Sequence, residues 1–378
     1  MKNILITGGA GFIGSNLSLY LLNKGYEVTV LDNLSPQIHG DNPEESSPLY
    51  NSIKDKVKFI KGTVTSRTDL EYSIENQDVI VHLAAETGTG QSMYEIERYS
   101  AVNIQGTALL LDVLSNKYNK VKKILVASSR AIYGEGAYFC KEHRIVYPLS
   151  RNDDDMLKGD FECKCPYCNK LVDLISTSEE SKLHPTSIYG ITKQNQEQMV
   201  MTVAKSIGIE SVALRYQNVY GPGQSLSNPY TGILSIFSTR LKNNEEINVF
   251  EDGLESRDFI YIDDVISATV LALESNMSNG QVYNVGTGIP TNVNNVARVL
   301  KKILASNSTI QISGRYRVGD IRHNIADITK IKNELGFTPK FLFSEGIEHF
   351  CSWVNKQQIF TDNYESSIEE MKRKGLYK

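Results

Sequence analysis

A phenol and an ammonium stand four residues apart in Tyr189-Gly-Ile-Thr-Lys193, a spacing that puts both on one face of a helix. The surrounding pattern predicts that helix over 187–206. A free tyrosine, with a pKa of about 10, is a poor base at neutral pH. A fixed cation beside it, together with a positively charged ring of a bound hydride carrier, favours the phenolate and brings its basicity toward working pH. Such a pair could take a proton from a hydroxyl while a hydride leaves the same carbon. By itself the spacing is commonplace, and a solvated surface pair is the better account of it.

A second feature, near the N-terminus, turns the reading toward chemistry. Gly8-Gly-Ala-Gly11-Phe12-Ile13-Gly14 follows an apolar run and opens a helical pattern. Glycines at 8, 11 and 14 suit a tight turn, close approach of the backbone to a pyrophosphate, and close packing of helix on strand; the helix N-terminus supplies N–H donors. Asp32 ends the next β-branched run, 18 positions after Gly14, where a carboxylate accepts hydrogen bonds from the adenosine ribose. Asn33, Leu34 and Ser35 bring no cation for a 2′-phosphate, so NAD is the expected dinucleotide.

A third constellation is sulfur-rich. Four of the five cysteines fall at 140, 163, 165 and 168, in two knuckles, Cys140-x-x-His143 and Cys165-x-x-Cys168. Three thiolates and an imidazole at such spacing read as a closed, structural tetrahedral zinc site. Cys163 is an alternative ligand, and reduced thiols in a surface loop are the plainer reading. Cys351, far away beside Trp353, reads as a core residue.

These groups need a scaffold. The runs 4–7, 27–31, 57–61, 79–82, 123–128 and 211–215 are β-branched and alternate with helical patterns, which predicts an α/β fold with a doubly wound parallel sheet (Rossmann). The expected layout is a dinucleotide-binding domain over 1–216 and 257–285, interrupted by a cysteine-rich insertion at 135–184. A smaller, mixed substrate domain takes 217–256 and 286–355, and 356–378 is a surface helix or frayed tail. Residues 41–52, with two prolines, read as a polar loop. The chain has 378 residues and a formal net charge of −4, so no overall field draws it to nucleic acid or an anionic membrane. No apolar run reaches membrane-span length, and the short apolar start lacks a signal-peptide pattern. A cytoplasmic enzyme is expected.

With fingerprint and Tyr-Lys pair together, the chain resembles the extended short-chain dehydrogenase/reductase superfamily, in its nucleotide-sugar epimerase/dehydratase branch, from Met1 to about Val354. The resemblance implies NAD as cofactor, a nucleotide-diphosphate sugar as substrate and a homodimer. It makes Ser129, in Val126-Ala-Ser-Ser-Arg-Ala-Ile-Tyr-Gly134, the hydroxyl that bonds the reacting sugar oxygen. Tyr189 becomes the acid/base, and Lys193 binds the nicotinamide ribose. Leu83, Ala84 and Ala85 would line the dinucleotide, and Asn103 would buttress the cofactor site. Asn218 would touch the sugar diphosphate, and Arg257 and Arg322 would clamp it. There are departures: Thr63 stands where relatives carry an acid for adenine, and Gln217 where they carry an aromatic. Arg130-Ala131 occupy the places of the Asp-Glu pair that a dehydratase needs, so elimination is disfavoured. Redox chemistry at one carbon remains, with epimerisation expected. A reductase using the same residues stays open, as does a non-enzymatic NAD sensor carrying zinc knuckles.

Overall fold

The computed structural model describes residues 2–230, 232–358 and 364–378. Its centre is a seven-stranded sheet, ordered Gln281–Val285, Glu210–Tyr216, Lys123–Ser129, Val79–His82, Asn3–Thr7, Glu27–Asp32, Lys58–Lys61. Every neighbouring pair is parallel. The strand order reverses where Asn3–Thr7 meets Val79–His82, and a crevice beyond the strand C-termini at such a point is where open α/β sheets take ligands.

Alternate side chains feed two apolar layers. Ile4 and Ile6 join Leu17 and Leu21 of the helix Phe12–Asn23 on one face, while Leu5 joins Leu110 and Leu114 of Gly106–Asn116 on the other. This explains why the first strand reads as a continuous apolar run: both faces are buried.

Three expectations need revision. Residues from 257, assigned to the dinucleotide-binding domain from sequence, begin in strand Ser256–Tyr261, which belongs to the smaller sheet. This strand pairs in parallel with Asn218–Tyr220 and His323–Asn324 and antiparallel with Pro290–Asn292. Only the helix Ile262–Glu274 and strand Gln281–Val285 return to the Rossmann unit, because Phe259-Ile-Tyr-Ile-Asp-Asp runs from strand into helix without a turn signal. The expected loop over 41–52 is instead part of a string of short helices, Pro36–His39, Pro43–Ser46 and Pro48–Ile53. Each begins on a proline, whose missing N–H costs nothing at the first helical position. Of the expected tail, residues 359–363 lie outside the described residues, and the helix Tyr364–Arg373 is not a bare surface helix: it buries Tyr364, Ile368 and Met371 against Tyr377, and Tyr316 and Lys378 exchange two backbone hydrogen bonds. The insertion folds as a three-stranded antiparallel patch of Tyr138–Cys140, Arg144–Val146 and Asp173–Leu174. Among the described residues no helix is long and apolar enough to cross a membrane.

Candidate active site

A cavity of about 580 Å³ opens at the strand C-termini. One end is floored by the glycine turn. Gly8 has φ +70°, and a Cβ there would stand 2.8 Å from the backbone of Ala84; a Cβ on Gly14 would stand 2.5 Å from the Gly8 carbonyl oxygen. Gly11 precedes the helix with no side-chain cap and no acid in the first turn, which leaves N–H donors and positive dipole for phosphate. Phe12, Ile13, Asp32, Asn33, Leu83, Ala84 and Ala85 line this end as well. Asp32 accepts from the backbone of Ala10 (3.0 Å) and Leu34 (2.9 Å), so its carboxylate is pre-set. The lining residues between 31 and 39 include no lysine or arginine. The cradle fits a dinucleotide without a 2′-phosphate.

Sequence gave no warning of His39, which also lines this end. Its Nδ1 lies 2.7 Å from the Ser47 hydroxyl and its Nε2 3.9 Å from Asp32. Burial lowers its pKa, with the Asp32 charge opposing.

At the sheet centre, Ser129 ends its strand and accepts from the backbone of Ala131 (3.2 Å), capping the turn Arg130–Tyr133. The expected helix is Ile188–Ser206, with Ser187 as N-cap. Gly190 lets it approach that turn: a Cβ there would lie 2.6 Å from the Ala131 carbonyl oxygen. Tyr189 and Ser129 are thereby brought together. Burial raises the Tyr189 pKa, against the pull of the Ser129 hydroxyl and the Arg130 guanidinium. Lys193 donates to Gln196 at 2.6 Å, and burial depresses its pKa to about 7, against the attraction of Glu197. Gln196 is anchored on Thr107 (2.9 Å) and faces His82 Nε2 (3.3 Å). His82 lies beneath the cavity rather than on it, and burial holds it neutral, with a pKa of about 3. Gln196, three residues past Lys193 on the same face, could have been found from helical spacing.

Asn103, expected at the cofactor, does not line the cavity. Fully buried in the π-wound stretch Ser100–Gln105, it bonds the backbone of Glu86 (2.7 and 3.1 Å) and the Thr192 hydroxyl (2.9 Å). It ties the loop after Ala85 to the helix carrying Tyr189, which is the buttress without the contact.

At the far end Asn218 and Arg257 line the cavity; Arg322 does not. The Arg322 side chain is wholly buried between Glu162 (2.6 Å), Asp252 (2.7 Å) and Glu251 (3.0 Å), so its charge is spent inside the protein. Arg317, five residues earlier, does line the cavity, with a buried Nε that has no partner among the described residues and a guanidinium 4.7 Å above the Phe250 ring. Both arginines lie in Arg317-Val-Gly-Asp-Ile-Arg322, and spacing alone could not tell which one faces inward. Arg257 is held by the carbonyls of Ile321 (2.7 Å) and Arg322 (2.8 Å). Gln217, Glu255, Tyr364, Ser367 and Met371 complete this wall. Both amide atoms of Gln217 are buried without a partner among the described residues, and burial raises Glu255 to about 7.

The cysteine knuckles meet away from the cavity. Cys140 Sγ lies 3.6 Å from His143 Nδ1 and 3.8 Å from Cys168 Sγ, and Cys165 Sγ lies 3.5 Å from the same nitrogen. All four candidate ligand atoms fall within 4.8 Å of one another. Cys163 is outside the group, buried near Tyr138 and Glu135.

Fold and cavity together are those of a dinucleotide-dependent enzyme acting on a hydroxyl carbon. The model of the "NAD dependent epimerase/dehydratase family" matches residues 4–152 and 164–286. The chain belongs to that family, and it is an NAD-dependent epimerase within it. Among characterised relatives, it is similar to dTDP-L-rhamnose 4-epimerase of Burkholderia thailandensis, 36% identical over 94% of this chain and 96% of that one. A putative UDP-glucose 4-epimerase of Methanocaldococcus jannaschii is 29% identical over 93% and 98%. Of solved structures, UDP-glucose 4-epimerase from Thermotoga maritima with UDP-glucose superposes with a TM-score of 0.75 at 31% identity, covering 94% of this chain and 99% of that one. UDP-glucuronic acid 4-epimerase from Bacillus cereus, in complex with UDP-glucuronic acid and NAD, gives 0.75 at 27% identity with the same coverage.

Proposed function

We propose that the protein inverts C4 of a nucleotide-diphosphate 6-deoxyhexose, converting dTDP-L-rhamnose to dTDP-6-deoxy-L-talose and back. The observation that carries this is the meeting of Ser129 and Tyr189 beside the glycine-turn cradle, with Arg130-Ala131 standing where elimination would need two acids. The 36% relative supports the choice of sugar and nucleotide. Gly8, Gly11, Gly14, Asp32 and Lys193 would hold NAD, which when bound would supply hydride acceptance and return at the sugar carbon. Ser129 holds the C4 oxygen, and Tyr189 takes its proton as the ketone forms. Arg257 and Arg317 grip the diphosphate while the keto sugar turns, and Tyr189 then gives the proton back to an alkoxide of opposite configuration. The test is incubation of the purified protein with a panel of nucleotide sugars, read by NMR for inverted C4 stereochemistry. Net consumption of NADH would instead identify a reductase.

A structural zinc ion at Cys140, His143, Cys165 and Cys168 belongs to the same reading. Bonds of about 2.3 Å to sulfur and about 2.0 Å to nitrogen give tetrahedral edges of about 3.8 and 3.5 Å, close to the 3.8, 3.6 and 3.5 Å between these atoms. Metal analysis should find one zinc per chain, lost in Cys165→Ser; an unchanged metal content would rule the site out. A homodimer follows from the family resemblance, and sedimentation of the purified protein tests it.

A further inference from the structure

Arg151 belongs to the cysteine-rich insertion and does not line the cavity, yet its side chain is only 4% exposed and reaches the back of the cavity wall. Its Nη1 and Nη2 donate to the two carboxylate oxygens of Glu251, each at 2.8 Å, and its Nε lies 3.4 Å from Glu135. The same two Nη nitrogens also donate to main-chain carbonyls, Nη1 to Phe161 in the insertion (3.1 Å) and Nη2 to Asp320 in the wall (3.0 Å). Only a planar fork meets a carboxylate and two carbonyls in this way. The segment it touches is the one that holds Arg257 from the cavity side. Arg257 donates to the Asp320 carboxylate (3.2 Å) and to the carbonyls of Ile321 (2.7 Å) and Arg322 (2.8 Å). Glu251 reaches the other end of that segment, its backbone N–H donating to the Arg315 carbonyl at 2.7 Å.

We propose that Arg151 is a positioning residue for the diphosphate end of the site: from the insertion it fixes the backbone of residues 315–322, so that Arg257 and Arg317 are held facing the cavity. This rests on those two arginines meeting the diphosphate. The segment has little stiffness of its own, because Gly314 and Gly319, at φ +68° and +81°, stand before and within it. Its shape is therefore set by what grips it, directly at Asp320 and through Glu251 at Arg315. A clamp of two cations on adjacent phosphates acts only when both forks are aimed before the ligand arrives, since ordering them on binding subtracts from affinity. The insertion thereby takes part in substrate binding without touching the substrate.

The test is titration of the NAD-loaded protein with dTDP, the sugar-free diphosphate, beside KM and turnover for dTDP-L-rhamnose. In Arg151→Met the Kd for dTDP and the KM should both rise about tenfold or more, as expected of a misplaced clamp, while turnover at saturation and bound NAD stay as in the wild type. Arg151→Lys keeps a charge between Glu135 and Glu251 but lacks the fork, and it should show the same loss if Arg151→Met does not fold. Lower stability with unchanged dTDP binding and KM would assign Arg151 to the insertion alone and overturn the proposal. Reduced turnover with dTDP binding intact would overturn it as well. Arg257→Ala keeps the two readings apart, since unchanged dTDP binding in that variant removes the diphosphate assignment itself. A wrong choice of sugar would show instead as no C4 inversion by the wild-type protein.

Discussion

Tyr189 and the arginines carry the residue-scale consequences. Tyr189→Phe keeps the ring and its packing but removes the group that moves the proton, so turnover should fall by about 10² to 10⁴ while NAD stays bound; full activity with bound NAD would end that assignment. Arg317 and Arg322 should separate cleanly. Arg317→Ala should raise KM for the nucleotide sugar with little change in stability. Arg322→Ala strands Glu162, Asp252 and Glu251, and removing one partner from such a buried network costs about 3 to 5 kcal/mol. Denaturant midpoints and KM values of the two variants test this, and reversed phenotypes would restore Arg322 to the ligand. The glycines, Asp32, Tyr189 and Lys193 could be singled out in the sequence because a local turn or helix sets their spacing, and Ser129 through the family resemblance of its motif. Arg317 and His39 were not, since which way each points depends on what packs behind it, whereas Gln196 was within reach of helical spacing from Lys193.

At the scale of elements, the C-terminal segment matters most. The helix Tyr364–Arg373 brings Tyr364, Ser367 and Met371 to the cavity wall. Glu370 accepts from the Tyr230 (2.9 Å) and Tyr94 (3.2 Å) hydroxyls across it, and the pairing of Lys378 with Tyr316 steadies the neighbouring Arg317. Ending the chain after residue 358 should therefore leave the large sheet folded and weaken substrate binding about tenfold, equivalent to roughly 1.4 kcal/mol. An unaltered KM in the shortened protein would show that the helix has no part in the site. The sequence of this segment is half charged and carries no strong core signal, and its apolar face becomes meaningful only against Phe250 and Tyr377.

For the whole molecule, the network under the cavity predicts a pH dependence. His82 is fully buried, with Thr7 (2.7 Å) and Thr107 (2.9 Å) hydroxyls on its two ring nitrogens, and its pKa is lowered from 6.5 to about 3. Between those values the unfolded chain binds a proton that the folded one refuses. Stability from this group is thus intact above about pH 6.5 and is lost as pH falls toward 3, by about 1.4 kcal/mol per unit. Denaturant unfolding at pH 7 and pH 5 should show a smaller difference in His82→Gln than in the wild type; equal differences would place the acid sensitivity elsewhere.

What the sequence by itself determined is what short-range periodicity and turn chemistry control. That covers the strands and helices of the large sheet, the glycine cradle, the face shared by Tyr189 and Lys193, and the cysteine knuckles. Only the tertiary structure decided which sheet Ser256–Tyr261 joins, whether Arg317 or Arg322 reaches the cavity, and that the C-terminal helix closes one wall. Those outcomes depend on contacts between residues far apart in the chain, where burying one charge beside its partners leaves another free to meet a ligand.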